Sequence, residues 1–570
     1  MNPVPMGPSY RATSLRRMAD DEFDVLVIGG GVVGAGAALD AVSRGLSVAL
    51  VEARDWAAGT SSRSSKLIHG GLRYLEQLDF KLVREALKER ALLLTRLAPH
   101  LVRPVPFLFP LRHRLWERFY VGAGVTLYDV LDGKRVLPRH RQLSRRRALA
   151  VAPALRPEAL IGAVQYFDAR VDDARFTMTL ARTAAQYGAA VATGAQVTGL
   201  VRDGERVTGA RVRDLESDQE IVVRARQVIN ATGVWTEETR RMTGAEGGLS
   251  VRASKGVHIT VPRDRITLNT GLILRTEKSV LFVIPWGRHW IIGTTDTDWT
   301  LSKAHPVASQ ADIDYLLDHV NAVLNTPITH DDIEGVYAGL RPLLAGDASD
   351  TAKLSREHTV ARPAPGLVVV AGGKYTTYRV MAKDAVDVAA RELVGGVPAS
   401  VTDRLPLFGA EGYEALWNRR VHLAARAGLD VARVERLLRR YGSAVEDLLQ
   451  MIEADPSLGR PLAGAGDYLR AEAVYAASHE GARNLEDVLA RRTRIAIEER
   501  DRGLAAAPEV AALMAPVLGW DEVDVRRQTE DYATLVQADQ AAEHQPDDLS
   551  ADAARAHLTT PGSEATPVRA

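Results

Sequence analysis

The amino-acid sequence predicts an α/β fold in which one parallel sheet is collected from three distant stretches of chain, with an all-α domain after it. Three observations carry that expectation. The apolar run at 24–28 (DVLVI) passes into the turn at 29–34 (GGGVVG) and then into helix-forming residues over 35–44. Far downstream, Gln227-Val228-Ile229 passes into Asn230-Ala231-Thr232-Gly233. Further on, an apolar run at 367–371 passes into Gly372-Gly373-Lys374 and a helix expected over 377–393. Short apolar runs that end in glycine turns are what a parallel sheet covered by helices requires.

Composition sets the frame. At 570 residues the chain exceeds one compact core, so two or three domains are expected. Lys+Arg and Asp+Glu each number 72, so no net charge draws the chain to nucleic acid or an anionic membrane. There is no cysteine, which excludes disulfides, a thiol relay and attachment of a cofactor through sulfur. No metal-ligating pattern stands out, and no metal is expected. Residues 1–20 carry Arg11, Arg16 and Arg17 but no signal-length apolar stretch, and they read as a disordered tail. Residues 542–570 read the same way. No run of 18 apolar residues occurs, so no membrane span is expected.

Each part of the first unit has a physical task. Gly29 permits the tight turn, Gly31 lets backbone approach a pyrophosphate, and Gly34 lets helix and strand pack closely. The helix start offers unpaired N–H groups to phosphate. A second apolar run, 46–51, ends at Glu52, 18 residues after Gly34. A carboxylate there accepts hydrogen bonds from both ribose hydroxyls and repels a 2′-phosphate. Between the first and second units, Asp172 is expected to cap a helix running to about Tyr187, a strand is expected over 191–197, and a hairpin is expected around Asp203-Gly204.

A nucleotide-binding domain built from segments this far apart resembles the glutathione-reductase-type FAD-binding Rossmann fold. That resemblance places the Gly29 loop on the pyrophosphate and the Ala231–Gly233 turn beside it. Gly373 and Lys374 then fall near the isoalloxazine, with Val197 and Thr376 also against the cofactor. No second complete glycine fingerprint appears, so no separate NAD(P)H domain is expected.

Residues 60–74 (TSSRSSKLIHGGLRY) are crowded with hydroxyls, cations and one histidine. Hydroxyls donate to phosphate and flavin oxygens, and Arg73 offers a planar fork to a phosphate. With the turn at 27–36, VDDAR at 171–175, KGVH at 255–258, IGTTD at 292–296, GLRP at 339–342 and GGKYTTYR at 372–379, this segment resembles the FAD-dependent glycerol-3-phosphate dehydrogenases of aerobic glycerol metabolism. The likeness covers about residues 20 to 530.

The resemblance implies oxidation of sn-glycerol 3-phosphate to dihydroxyacetone phosphate, with hydride passing from C2 to flavin N5 and electrons going on to quinone. It implies a cytoplasmic homodimer, peripheral on the inner face of the membrane, where RHRLWERFY at 112–120 is a candidate contact. The pocket positions are His69, Arg73, Tyr74, His258, Arg341 and Lys374, with FAD held by Gly29, Gly31, Gly34, Glu52, Thr60, Ser61, Ser62, Lys66, Val197, Ala231, Gly233, Gly373 and Thr376. Arg341, held extended by Pro342, and Lys374, at a helix start where a cation is unfavourable, suit an anionic substrate. Arg73 is the other phosphate ligand. His69 and His258 compete as base, and the role of the matching histidine in related oxidases favours His69. His258 sits on an alternating strand, on the polar face opposite Val257, Ile259 and Val261.

Domains follow: FAD binding over 21–95, 160–250 and 340–398; substrate binding over 96–159 and 251–339; a helical domain over 399–541, expected to serve packing and subunit contact. Two alternatives stand beside this reading. One is an oxidase using O2, although related oxidases carry a long insertion where Arg341 and Gly372 here are 31 residues apart. The other is a flavin-binding module without catalysis.

Overall fold

A computed structural model describes residues 4–71, 79–113, 116–131, 136–242, 249–277, 280–344 and 357–559. A parallel sheet forms the first domain. Its order is His358–Ala364, Leu367–Gly372, Glu220–Asn230, Glu22–Ile28, Val48–Val51 and Ala190–Ala192. All neighbours after the first pair run parallel. One face packs Val25, Val27, Leu50, Ile229 and Val368 against helices Val32–Ser43, Asp173–Gln186 and Tyr378–Ala390. The other face packs Phe23, Ile28 and Val51 against the hairpin Ala195–Asp203/Arg206–Asp214. Burial on both faces is why these strands read as unbroken apolar runs.

The expected cap forms: Asp172 accepts from Arg175 N at 3.2 Å to start its helix. Asp79 likewise accepts from Leu82 N at 3.0 Å to start Phe80–Leu92. The strand expected over 191–197 divides at Gly194, whose positive φ breaks it before the hairpin.

The second domain is a ten-stranded mixed sheet centred on Val251–Pro262, which pairs with His289–Gly293, Thr297–Trp299 and Gly335–Leu344. Three boundaries shift. Leu67–Ile68, Gly162–Arg170 and the end of Gly335–Leu344 were expected in the FAD domain, but their backbone pairs in this second sheet. Apolar patterning marks a strand without saying which sheet receives it. Helices then dominate from Tyr413 onward, interrupted by the short pair Pro461–Leu462/Ala465–Leu469.

The expected terminal disorder does not hold within the described residues. Pro8–Asp20 is a helix that buries Arg11, Ser14 and Met18. Arg11 donates to Thr193 O at 2.9 Å and pairs with Asp214 at 2.5 Å. Asp548–Leu558 is also a helix, tied by Asp548 to the buried ammonium of Lys255 and by Arg555 to Asp539. Both are held largely by polar anchors, which apolar periodicity does not register. Among the described residues no helix is long and apolar enough to cross a membrane. The candidate membrane contact at 112–120 rests mainly on side chains outside the described residues.

Candidate active site

A cavity of about 850 Å³ lies where the two sheets meet. Its nucleotide side is built by the first glycine turn. Gly29 has φ +108°, and a Cβ there would meet Ala231 O at 2.8 Å. A Cβ on Gly34 would fall 1.9 Å from Gly29 O, so only glycine lets the helix start this close to the strand. At Gly31 the nearest atom to such a Cβ is Ser61 Oγ at 3.3 Å, and Gly31 lines the cavity. Ser61 Oγ accepts from Val32 N at 2.9 Å, joining the hydroxyl segment to the helix start.

Glu52 ends its strand in the same wall, accepting from Gly30 N at 2.6 Å and Arg54 N at 2.9 Å. Burial pushes its carboxyl upward, with the two backbone donors opposing. Val197, Ala231 and Gly233 complete this side, and Thr60, also in the wall, donates to Leu340 O at 2.6 Å.

The opposite wall carries the substrate-pocket positions. Arg341 projects from Gly335–Leu344, donating to Thr294 Oγ1 at 2.8 Å and Thr295 O at 3.1 Å, with Asp296 at 3.7 Å. A Cβ on Gly256 would lie 2.4 Å from its Nη2, so Gly256 makes room for the guanidinium. His258 is buried, stacks on Tyr337 at 4.7 Å, and shares a 2.8 Å hydrogen bond between Nε2 and Ser65 Oγ. A Cβ on Gly293 would strike its ring at 2.1 Å. Burial, then Arg341 and Lys66, hold this imidazole well below the usual histidine range, so it is neutral. His258 therefore sits in a closed wall, where sequence periodicity had placed it on a polar face. His69 is half-buried, edge-on to Phe282, and its backbone N–H donates to Thr376 Oγ1 at 3.1 Å. Lys374 lines the cavity with Gly373 and Thr376 and is extended immediately before the turn Tyr375–Thr377.

Two expected cofactor contacts are placed differently. Lys66 is fully buried outside the cavity wall, its ammonium bonded to Asp173 at 2.9 Å and Ser62 O at 2.9 Å. Burial and Arg494 pull that ammonium down to about 8. Ser62 likewise stays out of the wall and gives its carbonyl to Lys66. Arg73 and Tyr74 lie outside the described residues.

Sequence reading missed Ser65, in the wall and 193 positions from its partner His258. It also missed Asp173, which accepts from Ser64 N at 3.0 Å, Ser64 Oγ at 2.7 Å, Lys66 and Arg494. Arg491, Arg492 and Arg494, in the domain expected to serve packing and subunit contact, tie that domain to the rest of the chain through buried pairs with Asp55, Asp172 and Asp173. The acidic VDDAR motif was the available signal for Asp173.

Residues 24–388 match the family model described as FAD dependent oxidoreductase, and 400–525 match the C-terminal domain of alpha-glycerophosphate oxidase. Glycerol-3-phosphate dehydrogenase 2 of Mycobacterium tuberculosis is 59% identical over 551 residues, covering 97% of this chain and 94% of that protein. The chain belongs to the FAD-dependent glycerol-3-phosphate dehydrogenase family. The human mitochondrial glycerol-3-phosphate dehydrogenase is 37% identical over 545 residues, covering 92% of this chain and 74% of its own length. The Bacillus halodurans dehydrogenase, solved with FAD, superposes with a TM-score of 0.77 at 29% identity over 93% of this chain and 98% of that one.

FAD is the cofactor of this family member, and the cavity suits it. The glycine cradle, the helix start behind Gly31 and the Glu52 carboxylate in the same wall fit the donor and acceptor set an adenine dinucleotide needs.

Proposed function

We propose that this chain oxidises sn-glycerol 3-phosphate to dihydroxyacetone phosphate and passes the electrons to a quinone. The observation that carries the substrate class is the convergence of Arg341 and Lys374, from different sheets, on one wall with two histidines. A phosphate dianion is what two such cations neutralise, and a histidine is suited to take an alcohol proton near neutral pH.

Bound FAD supplies N5 as hydride acceptor. The fork of Arg341, braced by Thr294 and Thr295, and the ammonium of Lys374 hold the phosphate and orient C2. Arg73 and Tyr74, outside the described residues, join them on the strength of the sequence. His69 takes the C2 hydroxyl proton as C2 gives up hydride, which balances alcohol against ketone. We assign His258 to the wall: Nε2 is engaged by Ser65, and Nδ1 is buried without a hydrogen-bond partner among the described residues. The cofactor contacts assigned from sequence are retained for Gly29, Gly31, Glu52, Thr60, Ser61, Val197, Ala231, Gly233, Gly373 and Thr376, which line the cavity, while Gly34 serves by its close packing on Gly29.

Quinone as acceptor, peripheral attachment to the inner face of the cytoplasmic membrane, and a homodimer belong to the same proposal. They are supported by family membership and by the short spacing between Arg341 and Gly372. Enzyme reduced by glycerol 3-phosphate should be reoxidised rapidly by a short-chain quinone and slowly by air. Rapid reoxidation by air alone would favour an oxidase.

A further inference from the structure

Arg63 is the one guanidinium in the hydroxyl segment at 60–66, and it lines two cavities at once. One is the nucleotide cavity; the other is a side cavity of about 120 Å³ against the helical domain. Its backbone closes the turn Thr60–Ser62 by donating from N to Thr60 O at 3.1 Å. Gly339 fixes where its side chain begins, since a Cβ there would lie 2.7 Å from Arg63 Cβ. Among the described residues its guanidinium makes no hydrogen bond or ion pair. The neighbouring acids are already paired: Glu486 with Arg491 at 2.7 Å, and Asp539 with Arg555 at 2.9 Å.

Two more basic groups stand beside it. His305 lines the same two cavities, and it too has no hydrogen-bond partner among the described residues. Arg54, in the nucleotide wall, lies over the Trp235 ring at 5.3 Å and donates to Ala304 O at 2.9 Å. Burial, opposed by Glu486 and aided by Arg54, holds the Arg63 guanidinium down to about 10. Burial, Arg555, Arg54 and Arg63 hold His305 well below its usual range, again against Glu486. A guanidinium that lines an internal cavity and has no ion-pair partner among the described residues raises the local potential for an anion.

We propose that Arg63, with His305 beside it, is a binding residue for the diphosphate of the dinucleotide, a charge the glycine turn meets only with backbone N–H groups. Ser61, two residues before Arg63, accepts from Val32 N at the helix start, and Arg63 lines the same cavity as Gly29, Gly31 and Val32. The proposal rests on the FAD-dependent reading above and adds the cation that neutralises its cofactor. A planar fork suits a diphosphate, and lysine at this position retains the charge without the fork.

The test uses wild-type, Arg63→Met and Arg63→Lys holoenzymes. FAD release is followed by the rise in flavin fluorescence after dilution into increasing salt. Arg63→Met should release FAD about tenfold faster at low salt, with a shallower dependence on salt, and Arg63→Lys should fall between it and wild type. Arg63 has no hydrogen bond to lose, so both variants should fold, and the lysine variant alone suffices if the methionine variant does not. Wild-type release rates and salt dependence in both variants would overturn the proposal while leaving the FAD-dependent reading intact. A wild-type protein that retains no flavin would instead remove that reading and the proposal with it.

Discussion

Lys66 and Asp173 form a 2.9 Å ion pair in which both side chains are completely buried. Asp173 simultaneously accepts from Arg494 at 2.5 Å and from Ser64 Oγ at 2.7 Å. One carboxylate therefore joins the loop behind the cavity wall to an arginine of the helical domain.

Asp173→Asn should leave Lys66 and Arg494 buried without that countercharge. Breaking a buried pair from one side costs roughly 3–5 kcal/mol, so the thermal midpoint should drop by several degrees. FAD release should also quicken, because Ser64 and Lys66 lose the group that fixes them. A variant with wild-type melting and flavin retention would show that Asp173 does not organise this loop.

His69→Ala should lower turnover by roughly 10²–10⁴-fold while keeping near-normal FAD content, since removal of a general base strikes chemistry before cofactor binding. Steady-state assays beside the visible flavin spectrum measure both quantities. Near-normal turnover would take His69 out of the proton-transfer role, and a matching His258→Ala variant would show whether that ring replaces it.

Gly256→Ala tests the seat of Arg341. The added methyl would fall 2.4 Å from Arg341 Nη2 and 2.5 Å from Thr294 Oγ1, forcing the fork off its bracing oxygens. KM for glycerol 3-phosphate should rise about tenfold or more, the equivalent of one charge-assisted contact, with the flavin spectrum unchanged. An unchanged KM would mean that Arg341 does not hold the substrate.

His100 gives a pH signature of stability. It is buried near Tyr413, and burial with Arg103 and Arg175 pulls its imidazole down to about 3. The unfolded chain binds a proton there near pH 6.5, so between pH 6.5 and 3 it holds more protons than the native state. Stability from this group is fully present above pH 6.5 and falls as the pH drops through that window. Between pH 7 and 5 the stability difference should move by about 2 kcal/mol in favour of His100→Gln, measured by urea unfolding at both values. Parallel losses in the two proteins would contradict this.

What the sequence disclosed follows from how local each signal is. The turn at 29–34 and Glu52 are legible because strand, turn, helix and acid follow one another within 28 positions of Asp24. The cap at Asp172 is equally local. The Ser65–His258 bond spans 193 positions and Arg494–Asp173 spans 321, so neither leaves a periodic trace. The helix Pro8–Asp20 escaped because its buried stripe is Arg11, Ser14 and Met18, only one of them apolar. Strand 162–170 was placed with the FAD domain because apolar patterning does not say which sheet receives a strand.

The central claim is that glycerol 3-phosphate delivers hydride to FAD in the cavity bounded by Arg341, Lys374 and His69. Anaerobic mixing of the yellow holoenzyme with glycerol 3-phosphate, followed at the flavin absorbance, tests it most directly. Rapid bleaching by glycerol 3-phosphate, with unphosphorylated glycerol far slower, is the expected result. A flavin that stays oxidised with glycerol 3-phosphate, or bleaches equally with glycerol, would contradict it.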